Sequence, residues 1–115
     1  MPAAYVTPEK IENAVVFLKA VANDRRLLIL CHLVDGEKSV TELEALLQIR
    51  QPTLSQQLAR LRTEKLVKTR RDVKHIFYSL DSDEVHLTIK LLYRLFCSDE
   101  ERLSGRLPSS LGHAE

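Results

Sequence analysis

The chain has 115 residues, of which 44% are hydrophobic and 29% are charged, and its formal net charge is +1. These values are typical of one globular domain with a modest core. The sequence holds no run of about 18 apolar residues that would span a membrane. Its N-terminus lacks the basic and apolar segments of a secretory signal, so we expect a cytoplasmic protein.

Two helices are predicted at the start of the chain. Thr7-Pro8 provides a cap and a first-turn proline for a helix that runs to about Ala22. Asn23 caps a second helix from Asp24 to Val34, whose apolar residues are expected in the central core. The apolar residues of the first helix occupy more than one side, which is too much for a helix at the edge of a monomer.

A third and a fourth helix follow, separated by a short connection. Ser39-Val40-Thr41-Glu42 is a capping box that opens the third helix, with Leu43, Leu46 and Leu47 expected to point inward. The fourth helix lies within residues 50–62 and has Pro52 at its first position. Its apolar stripe has the spacing i, i+4, i+7 and consists of Leu54, Leu58 and Leu61.

The outer face of the fourth helix is polar and nearly uncharged at its N-terminal end. Short amides and hydroxyls at such a place pair with base edges in a DNA major groove, whereas a solvated face more often carries Glu and Lys. The third and fourth helices therefore predict a helix-turn-helix whose fourth helix is the recognition helix, with an ordinary amphipathic helix as the alternative. The predicted contacts with bases or phosphates are Gln51, Thr53, Ser55, Gln56 and Gln57.

A basic hairpin is predicted after the fourth helix. Residues 66–71 and 75–80 are β-prone runs joined by Asp72-Val73-Lys74, which predicts a two-stranded wing. Residues 50–75 hold eight basic residues against two acidic ones, an electrostatic pattern typical of phosphate binding. A solvated basic surface is the alternative. The predicted phosphate contacts are Arg60, Arg70, Arg71, Lys74 and His75.

Asp81-Ser82-Asp83-Glu84 caps a last helix that is expected to reach about Arg102. Like the first helix it is apolar on more than one side, which predicts a homodimer through the first and last helices, suited to an inverted-repeat operator. The predicted fold is mainly α, an α+β winged helix of about five helices with a two-stranded β-wing. Residues 1–7 are expected to be a flexible N-terminus, 8–102 the DNA-binding and dimerisation domain, and 103–115 a flexible tail.

These motifs together resemble the ArsR family of winged-helix bacterial repressors over about residues 10–100. The resemblance rests on residues 18–27, on Gln51-Pro52-Thr53-Leu54-Ser55-Gln56-Gln57-Leu58 and on the end of the wing, Ile76-Phe77-Tyr78-Ser79-Leu80. Many members sense metals through cysteines on the third helix. The corresponding stretch here, Glu42 to Gln48, has no thiol, so that metal site is absent.

Cys31 and Cys97 have neither CxxC nor zinc-finger spacing. They resemble the cysteine pair of an ArsR branch that senses persulfides and sulfide and is related to virulence regulators. In that branch, reactive sulfur joins the two cysteines of one subunit by a disulfide or polysulfide bridge, and DNA is released. The resemblance implies a cofactor-free repressor of sulfide or reactive-sulfur response genes, with redox-sensing Cys31 and Cys97. Two inert core cysteines are the alternative.

Other functions stay open. Glu84, His86, Cys97 and Glu100 resemble a family zinc site between paired last helices, with Glu and Cys in place of Asp and His, which implies a zinc-responsive repressor. A virulence regulator that displaces another repressor is a second possibility. Outside the family, a small thiol enzyme is disfavoured because no acid–base constellation is present. A winged helix that binds only protein predicts no salt-dependent DNA affinity.

Overall fold

A computed structural model describes residues 5–96 of the protein. This part of the chain is mainly helical and forms a winged helix, which confirms the predicted fold class. No helix within it is long and apolar enough to cross a membrane. The elements in chain order are α1 Pro8–Val21, α2 Asp24–His32, β1 Lys38–Ser39, α3 Val40–Leu47, α4 Gln51–Thr63, β2 Val67–Asp72, β3 His75–Leu80 and α5 Asp83–Phe96.

Side-chain caps begin four of the helices, as the sequence predicts. Each cap accepts a backbone N–H that has no partner within the helix itself. The caps are Thr7, which accepts from Lys10 at 3.2 Å, Asn23, which accepts from Arg26 at 3.0 Å, Ser82, which accepts from Val85 at 3.2 Å, and Ser39, which forms the reciprocal capping box with Glu42. Helix α4 begins at Gln51, so Pro52 takes its second position rather than the first.

The leucine stripe of α4 lies at the centre of the core. Leu54, Leu58 and Leu61 are completely buried, and they belong to one cluster with Ile29 and Leu30 of α2. The stripe predicted from the sequence is therefore confirmed. Leu46 was expected to point inward and is instead 50% exposed. Successive helical residues are about 100° apart, so Leu43 and Leu47 share the inner face of α3 and Leu46 lies off it.

A left-handed residue turns the chain from α4 into the wing. Lys65 has φ +63°, and the N–H of Leu66 donates to the carbonyl of Leu61 at 2.9 Å, as in a Schellman helix end. This turn places Leu66 in the core. The backbone N–H of Asp81 then donates to the carbonyl of Leu66 at 3.0 Å, which closes the base of the hairpin.

The predicted two-stranded wing is formed by β2 and β3, and a third strand that was not predicted, β1, extends it to an antiparallel sheet of order β1-β3-β2. Strand β1 pairs Lys38 with Tyr78 and Ser39 with Phe77. Two residues are too few to show a strand periodicity, and this pair directly precedes the capping box, so the sequence indicated only the start of a helix.

The ends of two helices differ from the prediction or fall outside the described part. Helix α2 ends at His32 rather than Val34, because the N–H of Val34 bonds to the carbonyl of Cys31 in a tighter i,i+3 turn. Helix α5 is described as far as Phe96. The predicted end at Arg102, the tail and residues 1–4 lie outside residues 5–96.

Val73 at the wing tip is held in an unfavourable backbone conformation. It has φ +57° and is 82% exposed. A β-branched residue is strained in the left-handed region, whereas Asn adopts this region readily.

We therefore expect Val73→Asn to raise the free energy of unfolding by about 1 kcal/mol, or about 4 °C in melting temperature. Thermal unfolding by circular dichroism measures this effect. Val6→Asn is the matched control, since Val6 is exposed and does not have a positive φ. A gain in both variants, or in neither, would contradict the strain at Val73.

Candidate nucleic-acid interface and cysteine site

The polar face of α4 points away from the core. Its leucine stripe is buried, and Gln51, Ser55 and Gln56 on the outer side are exposed, while Thr53 is half-buried. No acidic residue lies in the first turn of the helix. The arrangement leaves hydrogen-bonding groups at the surface without a negative charge that would repel DNA phosphates.

Gln57 differs from its neighbours because another helix holds it. Its Oε1 accepts a hydrogen bond from Nη1 of Arg26 at 3.1 Å, and its side chain is half-buried. The sequence analysis did not identify Arg26 as a functional residue. The two residues are 31 positions apart, so no local spacing indicated their contact.

Arg60 lies on the exposed side of α4 near its C-terminal end. Its Nε is 3.5 Å from a carboxylate oxygen of Glu64 one turn later. An exposed pair of this kind contributes little to stability and is readily exchanged for another partner. The guanidinium therefore stays accessible to a phosphate.

The wing and the recognition helix meet at a shallow groove of about 210 Å³. Gln51 at the start of α4 lines it together with Lys74 and His75 of the wing. The structure thus brings Gln51 together with two other predicted DNA contacts, Lys74 and His75, which follow it by more than 20 positions. Ser39 and Thr41, at the start of α3, line the same groove and were not predicted as contacts.

Arg70 is engaged in contacts within the protein. Its Nε donates to Glu37 Oε1 at 3.1 Å, and its Nη2 donates to the other oxygen of that carboxylate. Nη1 is 3.6 Å from Asp72 Oδ2, and the guanidinium carbon lies 4.8 Å from the ring centroid of Phe77. Arg70 must exchange these contacts before it binds a phosphate, whereas the neighbouring Arg71 is an exposed residue of the same strand.

The hydrogen bond from Arg70 holds the pKa of the Glu37 carboxyl below its ordinary value, and the pKa of Arg70 is raised in turn. Because the pKa of Glu37 is lowered on folding, the contribution of this pair is present above the ordinary carboxyl pKa. It is lost as the pH falls through the lowered value. At neutral pH the pair is therefore fully formed.

Cys31 is half-buried on α2 and faces α5. It lines an apolar cavity of about 500 Å³ together with Leu27, Leu28, Leu92 and Phe96. Phe96 is the last described residue of α5, and Cys97 follows it in the sequence. Cys97 itself lies outside residues 5–96.

The alternative zinc ligands are only partly within the described chain. Glu84 is exposed, and Nε2 of His86 is 3.0 Å from the carbonyl oxygen of Val34, two residues after the end of α2. Cys97 and Glu100 lie beyond residue 96. Between residues 5 and 96, no three His, Cys, Asp or Glu side chains are grouped so as to hold a metal ion.

Comparison with known proteins gives the class of the protein. Residues 23–69 match the family described as bacterial regulatory protein, arsR family. The chain belongs to the ArsR family of DNA-binding transcription regulators, which confirms the resemblance seen in the sequence.

Particular relatives are similar over most of their length. The transcriptional activator HlyU of Vibrio cholerae is 55% identical over 85 residues, which are 74% of this chain and 79% of that protein. The biofilm growth-associated repressor of Agrobacterium fabrum is 48% identical over 95 residues, 83% of this chain and 81% of that protein. The solved structure of reduced HlyU from Vibrio cholerae N16961 is 51% identical, covers 78% of this chain and 95% of that one, and has a TM-score of 0.75.

These relatives are named as transcription regulators and not as enzymes, which decides against the small thiol enzyme. One is named an activator and the other a repressor, so the family includes proteins that activate transcription and proteins that repress it.

Two wing residues are expected to differ in their contribution to DNA affinity. Lys74→Ala should weaken binding to all duplexes similarly and reduce the slope of log affinity against log salt by about 0.9, since one phosphate contact is lost. Arg70→Ala should reduce the slope less, because Arg70 is shared with Glu37 and Asp72.

Fluorescence anisotropy with a labelled duplex at several salt concentrations measures these slopes. Lys90→Ala on α5 is the matched control for loss of one positive charge at an exposed site. If Lys74→Ala changed only the base preference, or if Arg70→Ala had the larger effect on the slope, the assignment of phosphate contacts on the wing would be wrong.

Proposed function

We propose that this protein is a cytoplasmic, homodimeric repressor that binds an inverted-repeat operator and releases it when persulfides or other oxidants join Cys31 to Cys97. The regulated genes belong to the response to sulfide or reactive sulfur. The observation that carries the proposal is the apolar cavity between α2 and α5, which is lined by Cys31 and by the residue that precedes Cys97.

The groove between α4 and the wing supports the DNA-binding part of the proposal. The outer face of α4 supplies amides and hydroxyls for base edges, and the wing supplies Arg71, Lys74 and His75 for the flanking phosphates. In this mode the affinity comes mainly from the basic groups and the sequence preference from α4.

Exposed apolar residues on α1 and α5 support the homodimer. On α1 these are Ile11, Val15, Val16 and Leu18, and on α5 they are Leu87, Leu91, Tyr93 and Phe96. Apolar faces on two helices of a small domain are typical of an interface between subunits. A two-fold dimer presents two recognition helices, which fits an inverted repeat.

The chemistry of the switch follows from thiol exchange. A Cys31 thiolate attacks the outer sulfur of an organic persulfide RSSH, which forms Cys–S–SH and expels RS⁻. The thiol of Cys97 then attacks the inner sulfur and releases hydrogen sulfide, so that a disulfide remains and no further oxidant is needed. When a second RSSH first lengthens the chain by one sulfur, the same step leaves a trisulfide.

Cavity shape affects which bridge forms. A direct disulfide requires Cα atoms about 4.4–6.8 Å apart, whereas each inserted sulfur relaxes this requirement. Space next to Cys31 therefore favours a reagent that adds sulfur over one that only removes electrons. A bridge holds α2 against α5 and opposes the spacing of recognition helices that DNA requires.

We expect glutathione persulfide to reduce the operator affinity of the wild-type protein by about 5- to 150-fold, the range of ordinary allosteric coupling. Intact mass under denaturing conditions should show a crosslink with added sulfur and two hydrogens lost. Cys31→Ser and Cys97→Ser should each bind DNA as tightly as the reduced wild-type protein, and persulfide should not change their affinity.

Hydrogen peroxide and zinc are the comparison reagents, applied separately to reduced, metal-free protein. If persulfide and peroxide left both thiols unmodified and DNA affinity were lost only with zinc, the sulfur switch would be contradicted, and His86 and its companions would be favoured as a zinc site. Loss of affinity with persulfide in a Cys31→Ser variant would also overturn it.

The dimer is tested by a charge on its proposed surface. Leu91→Asp, at a position 56% exposed on α5, should convert the dimer to a monomer in sedimentation analysis and weaken operator binding. Leu46→Asp is the matched control for sedimentation, because Leu46 is 50% exposed on α3, a helix that packs on α2, α4 and the sheet. A Leu91→Asp protein that sediments as the wild type would contradict the interface.

A further inference from the structure

One guanidinium group joins three helices. Arg26 lies in the first turn of α2, and its Nε donates to the carbonyl of Ala20 at 2.6 Å while its Nη2 donates to the carbonyl of Lys19 at 3.3 Å. Both acceptors are in the last turn of α1. Its Nη1 donates to Oε1 of Gln57 on α4 at 3.1 Å.

The contacts with α1 fix the direction of the remaining donor. The last carbonyls of a helix have no partners within it and carry partial negative charge, so an arginine binds them favourably. Ala20 is fully buried, which limits competition from water. Because the guanidinium is planar and its Nε and Nη2 edge is held on α1, Nη1 points toward α4 in one direction.

This geometry fixes the orientation of the Gln57 side chain. A guanidinium has donors only, so the atom of the amide that meets it is the oxygen, and the NH₂ group is turned to the opposite side. Without such a partner, the two ends of a glutamine amide exchange places by rotation about one bond. The adjacent residues of the outer face, Ser55 and Gln56, are exposed.

We infer that Arg26 is a positioning residue for sequence recognition: it orients the amide of Gln57 so that the recognition helix presents an NH₂ donor to DNA. The inference rests on the proposed DNA-binding role of α4. A fixed NH₂ group donates to guanine O6 or N7, adenine N7 or thymine O4. It cannot pair with the amino groups of adenine and cytosine, which are donors themselves.

The test begins with the base preference of the full-length reduced protein, obtained by enrichment from a randomised duplex library. The enriched duplex and its single base-pair variants are then titrated with wild type, Arg26→Ala, Gln57→Ala and the double variant. Arg25→Ala removes the same charge from the neighbouring exposed position and is the matched control.

Arg26→Ala and Gln57→Ala should relax the preference at the same base-pair position, where the wild type selects a base with an acceptor. Each should lower affinity for the enriched duplex by about 5-fold or more, the lower end of what one good base contact contributes. The double variant should be no weaker than Gln57→Ala alone, and Arg25→Ala should keep the wild-type preference.

Gln57→Glu gives a second reading that does not depend on removing Arg26. A carboxylate keeps the contact with Arg26 but replaces the NH₂ donor by an acceptor. The preference at that base pair should therefore change from bases with an acceptor to bases with an amino donor. An unchanged preference in Gln57→Glu would overturn the inference, even if Arg26→Ala failed to fold.

Two further results would also overturn it. One is an equal loss of affinity for every duplex in Arg26→Ala, with the base preference unchanged. The other is a double variant whose fold-loss of affinity equals the product of the losses in Arg26→Ala and Gln57→Ala. A wild-type protein that enriches no sequence and shows no salt-dependent affinity would instead remove the DNA-binding proposal, and this inference with it.

Discussion

Burial of the leucine stripe fixes the rotation of α4 about its own axis. Leu54, Leu58 and Leu61 have no exposed surface, and turning the helix by even one residue, about 100°, would bring them into water and polar groups into the core. Each such leucine stabilises the fold by about 2 kcal/mol when buried. The polar face proposed to read DNA therefore depends on a packing constraint on the opposite side of the helix.

Helix α2 connects the parts of the molecule that the proposed function requires. Its Ile29 and Leu30 pack in the same cluster as the α4 stripe, while Arg26 near its start contacts Gln57. Near its other end Cys31 faces the cavity beside α5. Nine residues of helix form a short rigid element, so a displacement of α2 at Cys31 also acts at Arg26. Sensing and recognition are thereby proposed to share one helix.

Much of this architecture is predictable because it depends on local chemistry. Caps at Thr7, Asn23 and Ser39 and the i, i+4, i+7 leucines are signals within one or two turns, and the structure confirms them. The features that were not predicted are contacts between residues distant in the sequence. The pairing of β1 with β3, the bond from Arg26 to Gln57 and the engagement of Arg70 by Glu37 each join residues more than 30 positions apart.

Strand β1 has a consequence for the geometry of DNA binding. Ser39 is paired with Phe77 of the wing, and it is also the N-cap of α3, so no linker separates the wing from the helix-turn-helix. The protein therefore fixes the distance between the proposed base contacts of α4 and the proposed phosphate contacts of the wing. Where a half-site does not match that distance, the DNA must bend or change its groove width. The stiffness of base pairs that the protein does not contact depends on their sequence, so it contributes to operator choice.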